Sequence, residues 1–130
     1  MGKFLDEYKK ELDNESMQFM FLCSKSDLHM LVEGYKKKCN LPELARLGAL
    51  TLVFGYKRLF MKICANVEKY SNEFLELIKA TENNFALLEN WVIQFISKIR
   101  DDEARKLLEE FWQQRKTEFD LQNFTISQLI

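Results

Sequence analysis

The run Leu50–Tyr70, LTLVFGYKRLFMKICANVEKY, decides the fold. Wound at 100° per residue it is apolar round most of its circumference. Leu50, Leu52, Val53, Phe54, Tyr56, Leu59, Phe60, Met61, Ile63, Cys64 and Val67 all fall on that side. A helix apolar this far round is enclosed by others. Upstream, Asn40-Leu41-Pro42-Glu43 is the clearest punctuation in the chain. Proline suits a first helical turn, where its missing N–H costs nothing. The pattern predicts one long, largely buried central helix from Pro42 to Lys79, bent near Ser71-Asn72.

The strip left over on that helix holds Gly48, Thr51, Gly55, Arg58, Lys62, Asn66 and Lys69, small at one end and cationic at the other. Glycine inside a helix is worse than alanine by about 1 kcal/mol, so two on one face require a reason. Either a neighbouring helix packs closely at Gly48, Thr51 and Gly55, or these residues open a groove. The groove would admit a partner helix or an apolar ligand, with Arg58 and Lys62 at its mouth. Charge is segregated along the chain. Residues 1–33 hold four bases and seven acids (−3), residues 34–70 eight and two (+6), and residues 71–130 seven and eleven (−4). The basic middle either lies against acidic neighbours of its own fold or binds an acidic partner through Arg58, Lys62 and Lys69.

Outside the central run the same period recurs. Phe4, Leu5, Tyr8 and Leu12 predict a first helix over Lys3–Asp13, which the apolar run Met17–Leu22 could extend. Ser24-Lys25-Ser26-Asp27 breaks the pattern and offers Ser26 or Asp27 as a cap. The next helix carries Leu28, Leu31, Val32 and Tyr35 and ends near Lys36-Lys37-Lys38, where cations suit the helix dipole. Thr81 reads as the cap of a stripe made by Phe85, Leu88, Trp91, Val92, Phe95, Ile96 and Ile99. Leu107, Leu108, Phe111, Trp112 and Phe119 make another. Asp101-Asp102-Glu103 between them fits the start of a separate helix or an exposed turn of a continuous one. The expectation is an all-α bundle of four to six helices in a single domain, residues 1–130.

Composition agrees with that class. The 130 residues are 47% hydrophobic with 11 phenylalanines, enough for a core and unlike a disordered tail. Four glycines and one proline are too few for the many turns of a β-sandwich. A net charge of −1 gives no overall attraction to nucleic acid or membrane. The longest apolar stretch, Leu47–Tyr56, is short of the roughly 20 residues that span a bilayer. Cys23, Cys39 and Cys64 show no disulfide spacing, so free thiols in the cytoplasm are expected.

Motifs for catalysis are missing. His29 is the one histidine, and no nucleophile elbow or catalytic-cysteine signature accompanies it. Cys23, His29, Cys39 and Cys64 match no zinc spacing, and no phosphate loop or dinucleotide fingerprint occurs. No cofactor is expected. Cys39 follows three lysines that favour its thiolate, but the adjoining helix C-terminus opposes it.

The end of the sequence is the stronger feature. Trp112, Phe119, Leu121, Phe124, Ile126, Leu129 and Ile130 are unusually apolar for a terminal segment. Residues 120–130 either pack on their own bundle or on a second chain, with Trp112, Phe119, Leu121 and Phe124 as partner contacts. The reading reached is a non-enzymatic helical interaction protein, an adaptor, inhibitor or assembly subunit that forms a homodimer. The alternative is a regulatory or sensory domain holding a small apolar ligand in its core.

Overall fold

Five helix starts are fixed by short polar side chains that accept hydrogen bonds from otherwise unpaired amides. Asp13 accepts from Ser16 N (2.8 Å), Ser24 from Asp27 N (3.2 Å), Asn40 from Glu43 N (3.4 Å) and Asn84 from Leu87 N (3.1 Å). Asp101 accepts from Glu103 N at 3.0 Å. The structure, a computed structural model, describes residues 13–36 and 38–120. Over these it is all-helical: α1 (Asn14–Leu22), α2 (Lys25–Tyr35), α3 (Leu41–Val53), α4 (Lys57–Asn66), a 3-10 turn (Glu68–Tyr70), α5 (Ser71–Glu82), α6 (Phe85–Ser97) and α7 (Asp102–Asp120). The helix expected over Lys3–Asp13 and the apolar tail beyond Asp120 lie outside the described residues.

The seven α-helices among the described residues exceed the four to six expected because the predicted Pro42–Lys79 helix is three helices. Its first break is chemical. Gly55 has φ +85°, a left-handed conformation that side chains with a Cβ disfavour. Gly55 N donates to Leu52 O (3.2 Å) and Tyr56 N to Thr51 O (2.7 Å), the paired bonds of a Schellman motif that ends α3. The second break is the 3-10 turn before α5. Two amphipathic helices laid out as one explain why Leu50–Tyr70 looks apolar all round. Between α6 and α7 the open question is settled in favour of two helices, with Asp101 as the cap of the second. Thr81 is no cap. It lies buried inside α5 and donates to Leu77 O at 3.0 Å.

The buried central element is α3, in which Leu44, Ala45 and every residue from Leu47 to Val53 are buried. It packs against α2, α4, α5 and α6. Close approach is bought by two glycines: a Cβ on Gly48 would stand 3.0 Å from the Phe74 ring of α5, and one on Gly34 would stand 2.9 Å from Leu44 Cδ2. Asp27 of α2 and Arg46 of α3 form an ion pair at 2.5 Å, with the Asp27 side chain only 3% exposed. Toward α1 and α6 the core turns aromatic, with Phe19 stacked on Phe95 at 5.3 Å and edge-on to Tyr56 at 5.1 Å.

Candidate functional site

Of the two readings for Gly48, Thr51 and Gly55, close helix packing or a groove, Gly48 has the packing. Gly48 is covered by Phe74, Ile78 and Phe60, and Thr51 is buried with its hydroxyl donating to Gly48 O at 2.6 Å. Gly55 has no atom within 4 Å of the place its Cβ would take, so its role is the turn and not a close approach.

Part of the cationic strip meets acids of its own chain. Glu15 of α1 accepts from Arg58 N at 2.9 Å, supplying the start of α4 with the cap that Tyr56 lacks. Lys62 pairs with Asp13 at 3.8 Å. Hydrogen bonds from Ser16 pull the Asp13 carboxyl below its ordinary pKa, and Lys62 and Arg58 add to the effect. Lys69 is exposed on the 3-10 turn. The basic middle therefore lies partly against the acidic start of α1.

Trp112 is a correction to the partner contacts. It is 2% exposed, stacked on Phe85 at 6.1 Å and 6.3 Å from Phe119, which is half-buried. Enclosed in this way, Trp112 presents almost no surface of its own. Leu121 and Phe124 lie outside the described residues.

The structure places an unpartnered surface elsewhere. Phe21, on α1, is 78% exposed. Its neighbours in sequence, Phe19 and Met20, are buried, and two residues of helix turn a side chain to the opposite face. Phe21 stands between two hollows that share Phe21 and Leu22 as a wall. One is an open depression lined by Met17, Gln18 and Ala104. The other, about 270 Å³, is lined by Cys23, Lys25, Lys98, Ile99, Arg100 and Asp101.

The rim is cationic. Lys25, Lys98 and Arg100 are exposed and make no ion pair among the described residues, whereas Asp101 is engaged in capping α7. The signal in the sequence was the unbroken run Phe19-Met20-Phe21-Leu22, which one helix cannot direct to a single side.

Burial pushes the Cys23 thiol far above its ordinary range, with the nearby Asp27 charge adding to the shift, and its Sγ donates to Phe19 O at 3.3 Å. Burial also raises Cys39 and Cys64, so neither is primed as a nucleophile. Among the described residues no group of three His, Cys, Asp or Glu side chains could hold a metal ion, and no helix is long and apolar enough to cross a membrane. No protein-family model, curated protein or solved structure matches the chain.

Proposed function

We propose that this chain is a non-enzymatic helical interaction protein that docks an apolar, acid-flanked helical segment across Phe21. The observation that carries the reading is the 78% exposure of Phe21 between two hollows, in a fold whose other phenylalanines include the buried Phe19, Phe54, Phe60, Phe74 and Phe95. Exposed aromatic knobs beside apolar hollows are the usual anchors of protein contacts. Lys25, Lys98 and Arg100, which make no ion pair among the described residues, favour acidic residues on the incoming segment. The three free cysteines support a reducing compartment such as the cytoplasm.

The test is fluorescence anisotropy with a labelled helical peptide carrying leucines at i, i+3, i+4 and i+7 and glutamates on either side. Saturable binding that is lost in Phe21→Glu and weakened by salt supports the reading. A lysine-flanked version of the peptide should bind worse. Equal binding of both peptides, or none, would reject it.

A further inference from the structure

We infer that the segment seated on this surface is α7 of a second copy of the chain, so that the protein forms a two-fold dimer. The inference rests on the docking role proposed for Phe21 and names its occupant. The required chemistry is an apolar side chain between acids on a helix. Leu107 is 66% exposed on α7, with Glu103 four residues before it and Glu110 three residues after, all on one exposed stripe. Neither glutamate makes an ion pair among the described residues. A comparable stripe on α5, Leu77 beside Glu73, has its leucine only 36% exposed.

Position strengthens the match. Ala104 lines the depression beside Phe21, and Leu107 lies one turn further along the same helix. The receiving surface and the offered stripe are therefore adjacent on each copy. A two-fold axis passing between Phe21 and Leu107 seats the stripe of each copy on the Phe21 surface of its mate. Each contact sets Glu103 and Glu110 against Lys25, Lys98 and Arg100. The assembly then closes at two copies, whereas a head-to-tail contact would build a larger ring or an open chain.

The test is sedimentation velocity on the full chain from low to high micromolar concentration. The wild type should pass from monomer to dimer, and Phe21→Glu should weaken the dimer about thirty-fold or more. The decisive arm uses two charge-reversed variants, Lys98→Glu/Arg100→Glu and Glu103→Lys/Glu110→Lys. Each should be monomeric, because both of its contacts become repulsive. Mixed together they should form a heterodimer, because both contacts are then complementary. Circular dichroism of every variant should match the wild type, since all five positions are exposed.

A wild type that stays monomeric overturns the inference, as does a dimer indifferent to these changes or a mixture that fails to pair. Benzoylphenylalanine placed at Gln18 identifies the occupant in those cases. An adduct within one chain to residues 1–12 or 121–130 means the ends of this chain cover the surface, and an adduct to a different protein means a foreign partner. Either result overturns self-association. The peptide titration separates the two readings: a monomer that binds the acid-flanked peptide retains the docking role, and a monomer that does not loses both.

Discussion

Arg115, near the end of α7, donates from Nε to the carbonyl of Val53, the last residue of α3, at 3.2 Å. The last carbonyls of a helix have no partner within it and carry the negative end of its dipole. A guanidinium there satisfies both. The same side chain lies over the Phe111 ring at 5.1 Å and pairs with Glu118 at 3.5 Å, which holds it in place. Arg115→Ala should therefore cost about 1.5–3 kcal/mol, the range for a hydrogen bond to a charged group. Urea unfolding of the two proteins measures it, and a difference within error would show that water replaces the contact.

Gly48 and Gly55 should respond differently to added bulk. At Gly55 the cost is conformational, about 1–2 kcal/mol for any residue with a Cβ, and Gly55→Leu should be no worse than Gly55→Ala because the space is open. At Gly48 the cost is steric, since the Phe74 ring must shift. Gly48→Leu should be worse than Gly48→Ala by about 1–3 kcal/mol. Thermal melts of the four variants give the comparison, and a size dependence at Gly55 would contradict the turn geometry.

Breaking the Asp27–Arg46 pair from one side should be severe. Arg46→Met leaves a carboxylate buried without its partner, and the other oxygen, Oδ2, already lacks a hydrogen bond. Such losses run to about 3–5 kcal/mol. The double variant Asp27→Leu/Arg46→Met should recover much of that, because no buried charge remains. A double variant as unstable as the single one would mean that packing by the Arg46 stem, and not charge, holds α2 to α3.

The Asp13 cap gives a pH signature. Its folded pKa lies below the ordinary 3.8, so its contribution is complete above the unfolded value and disappears as pH falls through the folded one. Asp13→Ala should cost about 1 kcal/mol near neutrality. The gap between wild type and variant should close in acid below the ordinary carboxylate range. A gap that persists there would assign the effect to something other than the charged cap.

The all-helical class was legible because the period of apolar residues in α2, α6 and α7 is unambiguous. Pro42 marked the start of α3, whereas Asp101-Asp102-Glu103 fitted a new helix and an exposed turn equally, because acids suit both. Gly55 was misread because a glycine on a helical stripe looks the same whether it sits within a helix or just past its end. Only the φ of +85° separates the two. The site was harder. Trp112 promised an interface by its chemistry, but Phe85 and Phe119, 27 residues before it and seven after, enclose it. Phe21 was hidden in a run whose members are individually ordinary. Which of them faces water depends on how α1 is rolled against Tyr56 and Phe95, a relationship between distant segments that no local pattern records.

The enclosure of α3 by α2, α4, α5 and α6 also sets a hierarchy of hydrogen exchange. Amides of α3 are sealed on several sides and give up their protons only when the whole molecule opens. Among the described residues α7 is attached more narrowly, chiefly to α6 through the Phe85–Trp112 stack and the Lys116–Glu89 pair, with Arg115 reaching Val53 O at the end of α3. Hydrogen exchange should therefore be faster in α7 than in α3, and equal protection of the two would show that Arg115 and Phe111 bind α7 to the centre as firmly as α3 is held. A partner that grips α7 should then slow the exchange of that helix first, with α3 unchanged.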